Sequence, residues 1–256
     1  MRHPVIVIAR YTLLEAIKNR LFIMTLTGLV CIFGFTQFAG ELAVTETREV
    51  QGSLACFILR LVIVMMTVLF VVTSTLREFN DKTVDLLISL PYPRHTYYFG
   101  KLTGFCLFGL IVCFLAGLTL LVYADPYPVV IWVISLIFEV WLMIAVSLLF
   151  LFTFGNMTAA CMGVAAFYIL ARSISTIQLL GQSPVLETAA FSHKFITGVI
   201  DIINVLLPAL HEFTRTEWLV YGEGNVSVLM PVILQTLIYM ALLSAAALFD
   251  LYRKNF

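Results

Sequence analysis

Six long apolar runs, separated by shorter polar stretches, dominate the chain: residues 21–40, 53–76, 102–123, 129–154, 158–179 and 227–251. Each holds about the 20 mostly apolar residues that a helix rising ~1.5 Å per residue needs to cross a bilayer. The runs are continuous rather than alternating, so they predict helices and not strands. In lipid every backbone N–H and C=O must find a partner within the protein, and a helix satisfies them inside one segment.

Two further segments are apolar without reading as spans. Residues 4–20 predict an amphipathic helix opened by Pro4, with Ile6, Ala9, Leu13 and Ile17 along one stripe and Arg10, Glu15, Lys18 and Asn19 elsewhere. Such a helix lies along a membrane surface with its basic residues near lipid head groups. Residues 195–210 are short for a span and carry Gly198, Asp201, Asn204 and Pro208. They read as a re-entrant or interfacial helix, preceded by a short helix opened by Ser183 and Pro184.

Composition turns this pattern into a membrane protein. Of the 256 residues 61% are apolar or aromatic and 12% charged, against about 45–50% and about 25% in a soluble domain. The expected fold is therefore all-α and integral to the membrane, one membrane domain over 1–256 with six transmembrane helices. No cleavable signal peptide is expected, because the run after Arg2 is short and the next is long enough to span. The formal net charge is zero, so no bulk field draws nucleic acid. Cys31, Cys56, Cys106, Cys113 and Cys161 all fall in apolar runs without a C-x-x-C pair, and read as packing residues rather than metal ligands.

Charge placement sets the orientation. Arg2, Arg10, Lys18, Arg20, Arg77, Lys82, Arg94, Lys101, Arg253 and Lys254 fall on one side of the six spans. Arg48, Lys194 and Arg215 fall on the other, among Glu41, Glu46, Glu49, Asp125, Glu187, Asp201, Glu212, Glu217 and Glu223. The positive-inside rule then predicts that both termini and the loop 77–101 are cytoplasmic. A seventh span at 195–210 would put Arg253 and Lys254 outside, against that rule.

The loop 77–101 carries the functional signal. Asn80 or Asp81 can cap a short helix in which Val84, Leu87 and Leu90 share a side with Leu86 nearby, and Pro91 and Pro93 end it. A helix this short needs something to pack against. Glu78, Thr83, Asp85, Leu86, Leu87, Leu90, Pro91, Arg94, Gly100 and Lys101 stand in the order and spacing of a family pattern. In these residues the chain resembles the permease subunits of ABC type-2 exporters. It departs from them in having Lys82 where glycine is usual and Asp85 where glutamate is commoner. Leu207-Pro208-Ala209-Leu210, Phe213 and Tyr221-Gly222 before the last span add to the likeness.

The resemblance implies that 77–101 holds a coupling helix seated in a groove on a cytoplasmic ABC ATPase, with Glu78, Thr83, Asp85, Leu86, Leu87, Leu90, Pro91, Arg94 and Lys101 as coupling residues. Two ATPase copies, ATP and Mg on those partner subunits, and a second permease, commonly an identical copy, complete the implied complex. A bacterial inner membrane is the expected location. No G-x-x-x-x-G-K-[ST] phosphate loop occurs in the chain, so it is expected to bind no nucleotide and no cofactor, and not to be catalytic itself.

Arg60, Glu139 and Arg172 sit inside spans, each roughly 10–15 Å from the outer end at ~1.5 Å per residue. A charge at that depth costs several kcal/mol unless paired or hydrated. Similar depths let Glu139 pair with Arg60 or Arg172, either lining a substrate path or locking spans two, four and five. His193 and His211 lack companion ligands and read as solvated; Tyr97, Tyr98, Tyr123, Tyr127, Trp132 and Trp218 read as interface anchors. The favoured function is export of an amphipathic or lipid-like substrate. The alternative is a mechanotransmitting subunit that uses the same loop to drive an outer-face partner protein and transports nothing through itself. An intramembrane enzyme is disfavoured, since Glu139 is the only acid and no histidine lies within a span.

Overall fold

The computed structural model describes residues 4–42, 47–81, 93–181, 198, 207–220 and 226–253. Within them the elements are helical: α1 (Pro4–Lys18), α2 (Arg20–Leu42), α3 (Thr47–Asn80), α4 (Arg94–Leu120), α5 (Pro126–Phe154), α6 (Met157–Gly181), a 3-10 turn (Leu210–Glu212), α7 (Glu217–Val220) and α8 (Val226–Arg253). Six of the described helices, α2 to α6 and α8, are long and apolar enough to cross a membrane. The chain is a multi-pass membrane protein.

Burial separates the spans into a centre and a periphery. The most apolar stretches of α3 and α5 are 61% and 67% buried, whereas those of α2 and α8 are only 22% buried. The bundle is therefore built around α3 and α5, and the other spans offer an apolar face to lipid or to another protein. Phe70 of α3 packs edge-on to Phe105 of α4, with ring centroids 5.6 Å apart, and lies 4.7 Å from Phe108. Leu136, Val140, Met143 and Leu148 of α5 have no exposed surface.

The helices on either side of the 82–92 segment extend beyond their apolar runs. α3 has 34 residues and α4 has 27; at ~1.5 Å each they rise ~51 and ~40 Å, against a hydrocarbon layer of ~30 Å. Glu78 and Lys101, expected in a loop, are helical, and so is Arg94, the first residue of α4. The connection between α3 and α4 is correspondingly short and is carried on paired helical ends.

α1 is a helix as expected; the face it turns to the bundle shares Ala9 with the expected apolar stripe but is otherwise made of other small residues, leaving Ile6 and Ile17 outward. Ala9, Thr12 and Ala16 are buried, while Ile6 is 60% and Ile17 42% exposed. The reason lies on α4. A Cβ on Gly100 would sit 2.7 Å from Ile8, and one on Gly104 would sit 2.7 Å from Thr12 and 2.9 Å from the Ala9 carbonyl oxygen. Small residues on both helices let the backbones approach closely, and this contact selects the small stripe of α1 over the large one.

Local chemistry explains the turns. Asn19 ends α1 and caps α2, its Oδ1 accepting the Leu21 N–H at 3.0 Å. Gly155 closes α5 at φ 69°, donating its N–H to the Leu151 carbonyl at 2.9 Å; a side chain would be strained there. Asn156 then accepts the Ala159 N–H at 2.8 Å and starts α6.

Of the six aromatics read as interface anchors, Tyr127 is exposed, whereas Tyr97, Tyr98, Tyr123, Trp132 and Trp218 are buried. The tyrosines are used as locks: Tyr98 donates to Ser244 Oγ at 3.0 Å, and the Tyr123 and Thr36 hydroxyls lie 2.7 Å apart. The segment 195–210 lies outside the described residues apart from Gly198 and 207–210, as do Ser183, Pro184 and His193.

Candidate functional site

Two polar clusters are built into the bundle, called inner and outer after the sides that the lysine and arginine asymmetry predicts for them. The inner cluster joins three helices. Lys101 of α4, 2% exposed, contacts Glu78 of α3 through its Nζ and lies 3.8 Å from Glu15 of α1. Tyr97 donates to Glu78 Oε2 at 2.8 Å, and Ser74 donates to Glu15 Oε1 at 3.0 Å. Each carboxylate thus has one oxygen on the lysine and the other on a hydroxyl. Ser74 and Glu78 are one turn apart on α3, Tyr97 and Lys101 one turn apart on α4, so each charge brings its hydroxyl neighbour to the same face. The arrangement satisfies one buried cation with two acids, and it fastens both ends of the 81–93 connection to α1.

The other expected coupling residues divide. Arg94 turns toward the end of the chain, its Nη1 donating to the Leu251 carbonyl at 3.0 Å and the Tyr252 carbonyl at 3.3 Å. A cation at those last carbonyls of α8 opposes the negative end of the helix dipole. Thr83, Asp85, Leu86, Leu87, Leu90 and Pro91 lie outside the described residues.

The outer cluster gathers the three charges found within spans around one residue, Thr214. Glu139 of α5 has no exposed surface. Its Oε2 accepts the Thr214 hydroxyl at 2.7 Å and its Oε1 the Tyr168 hydroxyl at 3.1 Å, with Arg172 Nη1 at 3.8 Å. Thr214 also donates its N–H to Ser135 Oγ at 3.0 Å and accepts Arg60 Nη1 on its carbonyl at 3.3 Å. Arg172 in turn donates to the Leu210 carbonyl at 2.5 Å and the Phe213 carbonyl at 3.0 Å. Thr214 has φ 46°, an unfavourable conformation for a β-branched residue. Three side chains from two helices hold it there.

The paired reading of Glu139 thus meets Arg172, while Arg60 grips a backbone carbonyl instead and lies 5.5 Å from the Phe57 ring centroid. Segment 207–216 is bound to α3, α5 and α6 at once. His211, expected to be solvated, is part-buried with Nε2 3.3 Å from Glu212 Oε1. Among the described residues no group of three or more His, Cys, Asp or Glu could hold a metal ion.

Sequence reasoning missed Glu15, Ser74 and Tyr97 in the inner cluster and Ser135, Tyr168 and Thr214 in the outer one. A signal was present: Ser74, Tyr97, Ser135 and Tyr168 each stand four residues before a charged residue inside or beside a span. That spacing puts the hydroxyl and the charge on one face. Glu15 and Thr214 come from distant segments, and no local pattern marks them. Compared with known proteins, the chain matches no family model and no curated protein.

Proposed function

We propose that this chain is the membrane subunit of an ATP-driven exporter. Two copies would pair in the membrane, and a separate cytoplasmic ABC ATPase, holding ATP and Mg, would seat the 82–92 segment. The observation that carries this reading is the inner cluster. Glu78 and Lys101 stand on the two helical ends that flank that segment, and both are bound to Glu15 of α1 or to each other. A push on the connection is therefore delivered to three helices together rather than absorbed by a loose loop. Leu86, Leu87 and Leu90 supply an apolar anchor of the kind that fills a pocket on a partner, with Asp85 and Arg94 nearby.

The mechanotransmitting alternative draws on the outer cluster. Because 207–216 is tied to α3, α5 and α6, any relative movement of those helices moves an outer segment that a partner protein can read. Transport of an amphipathic or lipid-like substrate remains the favoured use.

The test is co-purification with a cytoplasmic ABC ATPase, sought first in the reading frames neighbouring this one. Leu87→Asp together with Leu90→Asp is expected to abolish the complex and the stimulation of ATP turnover, while the variant still inserts in the membrane. Undiminished assembly and turnover would remove the coupling assignment.

A further inference from the structure

At the elbow between α1 and α2 lies a cavity of about 630 Å³ lined by Glu15, Lys18, Asn19, Arg20 and Arg77. Three of its five lining residues are cations and one is an acid. The acid is already engaged, Glu15 accepting from Ser74 and facing Lys101. Among the described residues Arg77 has an exposed contact to Asp81 at 3.6 Å, worth little in water. Lys18 and Arg20 are exposed. The Asn19 cap orders the elbow and holds Lys18 and Arg20 on either side of it.

What lies one turn deeper decides the class of ligand. Ile23 and Met24 follow Arg20 by three and four residues, on the same face of α2, and are 61% and 55% exposed; Ile17 of α1 is 42% exposed. A basic crevice at the start of a span, continued by an exposed apolar strip down that span, has the polarity of a phospholipid read from head to tail. Free phosphate would use the crevice and leave the strip without a role. Basic pockets between spans on the lysine- and arginine-rich side are suited to anionic head groups.

We infer that this elbow is a binding site for an anionic phospholipid, its phosphate between Lys18, Arg20 and Arg77 and its acyl chains along Ile17, Ile23 and Met24. The site touches the inner cluster through Glu15, so an occupied crevice braces α1 against α3 where the α3–α4 connection begins. The inference does not depend on the exporter reading, since it uses only the elbow and the lipid around it.

The experiment uses the full-length protein in detergent micelles, titrated with phosphatidylglycerol or phosphatidylcholine and read by native mass spectrometry. The wild-type protein should retain phosphatidylglycerol roughly tenfold better, three basic groups each contributing near the surface. Lys18→Gln, Arg20→Gln and Arg77→Gln together should remove that preference, and Arg10→Gln with Arg253→Gln should leave it intact. A charge-keeping set, Lys18→Arg, Arg20→Lys and Arg77→Lys, should retain most of it. If the triple neutral variant fails to fold, Arg20→Gln alone decides, with a several-fold loss expected. No preference in the wild type, or an undiminished one in the neutral variants, overturns the site. Displacement of the lipid by millimolar inorganic phosphate would show a free-anion crevice and overturn the lipid assignment.

Discussion

A carboxylate without exposed surface survives in an apolar bundle only if its oxygens are occupied, and Glu139 meets that condition with Tyr168, Thr214 and Arg172. Removing one member of a buried pair leaves the other charge without its partner, at about 3–5 kcal/mol. Glu139→Gln keeps an acceptor for only one of the two hydroxyls, turns an NH2 toward the other, and leaves Arg60 and Arg172 with no anion among the described side chains around them. We expect a loss near the low end of that range, about 3 kcal/mol, read as a lowered melting temperature in detergent. Thr214→Val keeps shape and strain but loses one bond to a charged group, about 1.5–3 kcal/mol. Since both substitutions act through one carboxylate, their double variant should lose less than the sum. Full additivity would show that Thr214 and Glu139 are not coupled.

Among the elements, α1 and α4 approach each other closely across Gly100 and Gly104. Gly104→Val would place a branched carbon against Thr12 and the Ala9 carbonyl, and backbone cannot yield as a flexible side chain can. Overpacking of this kind costs about 1–3 kcal/mol. α1 should lift from α4, seen as faster proteolysis after Arg10 or Lys18 with the remaining bundle intact. Protection equal to wild type would mean that the contact is not tight. The spans themselves were legible, because continuous apolar runs admit few other solutions in lipid, and each of the six runs lies on one of the six long helices, only 102–123 running past its helix end at Leu120. Their ends were less so. Glu78, Arg94 and Lys101 look like loop residues because they are charged, yet they lie on helices that outrun the bilayer. The face of α1 that meets the bundle was not marked in its own sequence: the glycines of a distant helix favour Ala9, Thr12 and Ala16, while Ile6 and Ile17 of the apolar stripe stay outward. The partners that complete each charge cluster, Glu15 and Thr214, are contributed by tertiary structure alone.

For the whole molecule, an even number of crossings returns the chain to the side on which it began. Epitope tags at both ends should be removed by protease in inside-out vesicles and protected in intact cells. Tags found on opposite sides would mean that 195–210 crosses as well, against the lysine and arginine asymmetry. The weakly buried α2, α6 and α8 are the spans with most surface left to meet lipid or a second copy. One described contact also bears on how the protein is made. Arg94, the first residue of α4, is held by carbonyls of Leu251 and Tyr252 at the end of α8, 157 and 158 residues later. During synthesis those acceptors emerge long after Arg94, so this anchorage of α4 forms only once α8 has been made. A chain stopped before α8 would leave the Arg94 contact unmade, giving the cell a physical distinction between chains with and without that span.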